Sequence, residues 1–264
     1  MSSDVPWGSG PVTVRATCVL EPNAGPMTLD GTNTWVLLEP GSDRAVVVDP
    51  GELDEEHLRR VLATVDGLGA RVALTLLTHG HLDHAESAGR FGELTGAPVR
   101  GAGHGDAFAD GEHLVVGGLE LEVLLTPGHT RDSISVVLPA DRAMLTGDSV
   151  LGRGTSVVAW PDGELAAYLR TLELIERRTA TGEVATFLPG HGPVLPEAAD
   201  VVQHYREHRA ERLEQVRAAV AAGAVDARAV VEQVYAAVPR EVWPAAEMSV
   251  QAQLDYLAAQ GDRP

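Results

Sequence analysis

Within the segment THGHLDHAE, residues 78–86, His79, His81, Asp83 and His84 fall inside six positions. Side chains of these types, spaced so closely, would crowd and repel one another as mere surface decoration. A divalent cation resolves the crowding, because neutral imidazoles and carboxylates are natural ligands of zinc and iron. Gly80 lets the backbone turn sharply, so His79 and His81 can point the same way. Asp83 and His84 follow at the start of a helical segment.

The same kind of ligand recurs three times in the same kind of setting. LLTPGHT sets His129 after one apolar run, AMLTGDS sets Asp148 after another, and TFLPGHGP sets His191 after a third. In each case a strand-like run ends, a glycine permits a turn and a metal-type ligand follows. Strands packed in one or two sheets can present their ends along a common edge, so residues remote in sequence can converge. Taken alone, His129 reads as a turn histidine and Asp83 as a helix cap. The repeated layout is what argues for one site.

The pattern that must position these residues is α/β. Strand-like runs occupy 12–20, 33–38, 45–48, 71–77, 98–101, 119–126, 133–138, 143–146 and 184–188, with helical periodicity over 54–65, 84–95 and 163–178. From about residue 196 the chain reads as helices only, in EAADVVQHYREHRAERLEQVRAAVAA, DARAVVEQVYAAVP and EMSVQAQLDYLAAQG. A boundary near residue 200 therefore separates an α/β domain, 1–200, from a helical tail, 201–264.

Composition narrows the function further. Hydrophobic residues make up 44% of the 264 and charged ones 22%, which supports a sizeable packed core. Cys18 is the only cysteine and all 20 basic residues are arginine, which excludes a thiolate-rich metal site, Schiff-base chemistry and any Ser-Lys mechanism. The net charge of −18 disfavours duplex DNA and anionic membranes as partners. No leader and no membrane-spanning run is read, so the cytoplasm is the expected location.

The set H-x-H-x-D-H with later His, Asp and His resembles the metallo-β-lactamase superfamily over roughly the first 200 residues. The resemblance implies a four-layer αββα sandwich with the site on one edge of its paired sheets. It implies two metal ions, zinc or else iron or manganese. His79, His81 and His129 would hold one, Asp83, His84 and His191 the other, and Asp148 would bridge them. Two divalent ions, two carboxylates and one bridging hydroxide leave a net positive charge, which still attracts an anionic substrate group. Metal coordination can bring the pKa of water from 15.7 to about 7, so that hydroxide is the expected nucleophile, with Asp83 orienting it or moving its proton.

The bridging Asp148 argues against β-lactam hydrolysis and for thioesterase-like or nuclease-like relatives. GPMTLDGTNTW, LTGDSVLGRGTSVV, FLPGHGPVL and YREHRAERLEQV are similar to the β-lactamase-like protein 2 group. That resemblance implies a small winged-helix-like tail and, for some members, endoribonuclease activity on single-stranded RNA. The substrate is accordingly expected to be a phosphodiester, such as single-stranded RNA, or a small-molecule thioester. An iron-dependent persulfide dioxygenase-like activity and a non-catalytic metal-bound scaffold are the competing expectations. Seven arginines against nine acidic residues after position 200 fit a tail that covers the site or forms a homodimer better than one that grips a duplex. Asn33 and Arg153 are further candidates for substrate contact.

Overall fold

The architecture, described for residues 7–261 in a computed structural model, is dictated by strands that bury both of their faces. One sheet holds β1 (Gly10–Pro11), β2 (Ala16–Leu20), β3 (Asn33–Leu38), β4 (Arg44–Val48), β5 (Arg71–Leu76) and β6 (Val99–Arg100), in that spatial order. The pairings from β1 to β4 are antiparallel, and β4–β5 and β5–β6 are parallel. The second sheet runs β11-β10-β9-β8-β7, from β7 (Glu112–Val116), β8 (Leu119–Leu125), β9 (Ile134–Leu138), β10 (Ala143–Gly147) and β11 (Thr186–Pro189). Only β10–β11 is parallel there.

Successive residues of a strand face opposite ways, and β4 shows the result. Val46 and Val48 point between the sheets, where they meet Leu121, Val136 and Leu145, while Ala45 and Val47 face outward against Leu58, Val61 and Phe91. Those last three belong to α1 (Glu55–Gly67) and α3 (Ala88–Thr95). The outer face of the second sheet is covered by α4 (Leu165–Ala180), through Tyr168, Leu172 and Ile175, and by α5 (Ala198–Ala221), through Val202 and Tyr205. The order is helix, sheet, sheet, helix. Removing a side chain such as Leu58 from these layers costs about 2–5 kcal/mol.

The helical segment expected over 84–95 is interrupted. A single turn, α2 (Leu82–Ala85), ends before α3 begins. The backbone N–H of Ser87 donates to the carbonyl of Gly51, and that of Gly51 donates to the carbonyl of His84. Backbone pairing across to residue 51 replaces the continuation of the helix and fixes where His84 stands.

α5 runs through the sequence division at residue 200. Its first half packs on the second sheet, and its second half, with Val216 and Ala219, joins α6 (Ala227–Val234) and α7 (Trp243–Ala259) in a separate cluster around Val230, Val231 and Val250. Among the described residues the tail contains helices and no strand. No described helix is long and apolar enough to cross a membrane.

Candidate metal centre

The pairing directions explain why the ligands meet. β4 and β5 run parallel, and β8, β10 and β11 share one direction in the other sheet because β9 is antiparallel to both of its neighbours. The segments that leave these five strand ends carry Asp49, His79 to His84, His129, Asp148 and His191. All seven predicted ligands arrive at this edge.

They form overlapping groups whose ligand atoms lie within 4.8 Å of one another: His79, His81 and His129; Asp83, His84 and His191; and His79, His84 and Asp148. In the first trio, His81 Nδ1 is 3.0 Å from His79 Nε2 and 3.1 Å from His129 Nε2. In the second, His191 Nε2 is 3.1 Å from His84 Nε2 and 3.2 Å from Asp83 Oδ2. Asp148 stands between them. Its Oδ1 lies 3.4 and 3.5 Å from Nε2 of His84 and His191, and its Oδ2 lies 3.6 Å from Nε2 of His129.

These spacings test whether cations fit. Ligand atoms about 2.0–2.2 Å from a tetrahedral zinc are separated by roughly 3.3–3.6 Å along the edges of the tetrahedron, close to the observed spacings. Asp148 Oδ1 is buried and has no hydrogen-bond partner, a costly state for a carboxylate oxygen that a cation would relieve. The residues present fit two divalent ions.

The second ring nitrogens of His79, His84, His129 and His191 are already engaged, which fixes those rings and leaves one nitrogen of each facing inward. His84 Nδ1 donates to Asp49 Oδ2 at 2.9 Å. Thr78 Oγ1 also donates to that oxygen, at 2.7 Å, and accepts from His79 Nδ1 at 3.1 Å. His129 Nδ1 donates to the Val157 carbonyl at 2.7 Å, and His191 Nδ1 to that of Gly31 at 3.3 Å. Asp49 escaped the sequence reading, although VVVDPG repeats the same layout of an apolar run followed by a carboxylate and a glycine. Gly190 is a second requirement. A Cβ there would stand 2.6 Å from Asp148 Oδ1 and 2.8 Å from His84 Cε1.

Electrostatics divide the metal-free centre. Burial pushes His79 well below the ordinary imidazole value and lowers His129 as well. Burial also opposes charge on His84 and His191, but the Asp148 carboxylate outweighs it. With Asp49 added, His84 is held well above the usual value, and His191 rises to about 9. The same histidines outweigh burial at Asp148 and keep it well below the usual carboxylate range. Asp83 is lowered too: burial works against its charge, and a hydrogen bond from His191 overcomes that.

Neither predicted substrate contact is simple. Asn33 is fully buried, and its Nδ2 donates to the carbonyls of Pro189 and Gly192 at 2.9 Å each. It therefore clamps the loop that carries His191 and does not line a cleft. A polar residue inside β3 must satisfy its amide within the protein, and here the turn after β11 does so. Arg153 pairs with Asp30 and remains half exposed beside a groove.

With this geometry in hand, likeness to known proteins defines the class. The model of the Metallo-beta-lactamase superfamily matches residues 27–116 and 103–191, and that of the Beta-lactamase associated winged helix domain matches 227–262. The chain belongs to the metallo-β-lactamase superfamily. Its sequence is 31% identical over 262 residues to a Beta-lactamase-like protein 2 homolog of Caenorhabditis elegans, covering 93% of this chain and 84% of that protein. It is 34% identical over 212 residues to an Atrochrysone carboxyl ACP thioesterase of Aspergillus fumigatus, covering 76% of this chain but only 64% of the fungal one. Among solved structures, a metallo-beta-lactamase family protein of Thermus thermophilus superposes with a TM-score of 0.77 at 21% identity, over 93% of this chain and 94% of that one.

Proposed function

We propose that the protein is a dinuclear zinc-dependent hydrolase of acyl thioesters. The observation that carries the two-cation reading is Asp148, whose two oxygens turn toward different trios. His79, His81 and His129 would hold one cation, Asp83, His84 and His191 the other. Imidazole and carboxylate ligands are suited to zinc. Two such cations supply Lewis acidity and water of lowered pKa at neutral pH.

Hydrolysis replaces a C–S bond with a C–O bond, and the departing thiolate needs a proton. We assign Asp83 to that traffic: its carboxylate takes a proton from the attacking water, whose oxygen joins the acyl carbon, and passes it to the departing thiolate. Its side chain is 22% exposed against 10% for Asp148, so it is the carboxylate nearer solvent, and it is anionic at neutral pH.

A thioester is favoured over RNA by what the tail does with its arginines. Arg206, Arg217 and Arg228 pair with Glu176, Glu214 and Glu247, and Arg228 also pairs with Glu232. Charges paired in this way form no continuous basic track for a phosphate backbone, and Arg209 and Arg212, which have no carboxylate partner among the described residues, sit together at one groove. The thioesterase named among the relatives supports the same reading.

The test is metal analysis of the purified protein, with turnover of an acyl-thioester panel, single-stranded RNA and a persulfide monitored by oxygen uptake. Two zinc equivalents and thioester hydrolysis abolished by His81→Ala are expected. RNA cleavage or oxygen uptake that is lost in that variant, with thioesters untouched, would overturn the proposal.

A further inference from the structure

A groove of about 370 Å³ lies between the metal domain and the tail. One side is the loop of Pro26, Met27 and Leu29, and another is the segment from Leu151 to Val157. The tail closes it with Arg209, Arg212, Val238, Val242 and Ala245. Both loops reach the metal centre. Gly31, at the end of the first loop, accepts from His191, and Val157, in the second, accepts from His129. Ser156 also donates to the backbone carbonyl of Asp148. The groove therefore lies against the two loops that support the backs of both trios.

Its charge is opposite to that of the molecule. The chain carries −18, yet the groove is lined by Arg153, His208, Arg209 and Arg212 and by no aspartate or glutamate. Arg153 is neutralised by Asp30. Arg209 and Arg212 have no carboxylate partner among the described residues. Arg212 stacks on Tyr235 at 4.7 Å and bonds His208 Nε2, Gln215 and a carbonyl. Arg209 is 6% exposed, stacks on Tyr168 at 4.7 Å, donates to the Ser156 carbonyl and leaves its Nε buried without a partner. A buried guanidinium without a counter-ion is expensive, and here it stands beside an apolar cavity.

We infer that this groove binds the apolar arm of the substrate and that Arg212, with Arg209 behind it, recognises an anionic group on that arm. The inference rests on the thioester reading. The anion can lie on the acyl side, as a terminal carboxylate, or on the thiol side, as a phosphate on the carrier arm. Both offer the acceptor that a guanidinium pairs with.

Three octanoyl-length thioesters separate these sources: a neutral N-acetylcysteamine ester, an ω-carboxyacyl N-acetylcysteamine ester and a phosphopantetheine ester. One anionic member should show a KM about tenfold below the neutral one. Arg212→Met and Met27→Asp should each bring that ratio close to one, whereas Arg90→Gln, an exposed charge change elsewhere, should preserve it. Calorimetry with the matching non-hydrolysable thioethers gives the same comparison without turnover. Met27 is 49% exposed, so its variant keeps the test alive if Arg212→Met does not fold.

Equal affinity for neutral and anionic thioethers, or an anionic preference that survives both groove variants, would overturn the inference while leaving hydrolysis intact. A short single-stranded RNA that displaces the thioethers more strongly than they displace one another would overturn it as well. Thioether binding that obeys the pattern in a protein with no thioester turnover would sink the catalytic reading and keep the groove.

Discussion

The two trios of the metal centre are built from similar residues and supported in opposite ways. His79 and His129 lean on a threonine hydroxyl and a backbone carbonyl, and both rings are pushed toward the neutral form. His84 and His191 face carboxylates and are pushed toward the protonated form. Without metal, His79 and His129 present lone pairs, and His84 and His191 store protons where a cation would sit. Preorganisation for a cation can thus be reached either by excluding charge or by supplying negative charge that a proton borrows.

The most severe way to break this arrangement is to remove what both halves share. Asp148→Ala should eliminate the second metal equivalent and lower turnover by on the order of a thousandfold, the worth of several kcal/mol of Lewis-acid stabilisation. Elemental analysis alongside kcat/KM reads both effects. Gly190→Ala should act similarly, since its methyl group would collide with Asp148 and His84, and a metal stoichiometry near wild type would contradict that.

Asp49→Asn sharpens the contrast, because Asp49 touches His84 directly and His79 only through Thr78. Affinity in the second trio should fall roughly 10–100-fold, and the first should change less. A chelator competition resolving two steps would show it, and equal losses would refute the asymmetry.

Cations and protons compete for the same lone pairs. Without metal, His84 is held well above the ordinary imidazole value and His191 rises to about 9, so both are protonated at pH 7, and loading the second trio must release protons from both. Affinity there rises with pH through the neutral range, as both rings give up their protons. His79 and His129 lie below the ordinary imidazole value, so loading the first trio at pH 7 releases none from them. Zinc calorimetry in buffers of different ionisation heat separates the two steps.

The smallest expected effect comes from the tail. Arg209→Met removes the donor that holds the Ser156 carbonyl, one residue from the Val157 carbonyl that orients His129. Affinity in the first trio should weaken several-fold, with Arg209→Lys intermediate. Val230→Ala, inside the distant tail core, should lower stability without that loss.

Much of this centre was legible because each ligand follows an apolar run, and β-strands end where such runs end. Asp49 obeyed the same rule but carried no histidine to draw attention. β7 was overlooked because its residues alternate in exposure at a sheet edge, although Gly117–Gly118, both with positive φ, mark the tight hairpin into β8. Asn33 misled for the opposite reason. Its amide looks like a polar group waiting for a ligand, and only the tertiary pairing with Pro189 and Gly192 shows it spent internally. The break after α2 was likewise invisible, since Gly51, which replaces the helical pairing, lies far back in the chain.

α5 carries a practical consequence for anyone dissecting the protein. Cutting the chain ahead of the winged-helix match, anywhere inside this helix up to Arg209, would strip Tyr168 of its stacked guanidinium and the loop after Asp148 of its backing. This stretch of α5 thus belongs to the support of the metal centre rather than to a detachable module. A shortened catalytic half would retain its sheets and lose its aim.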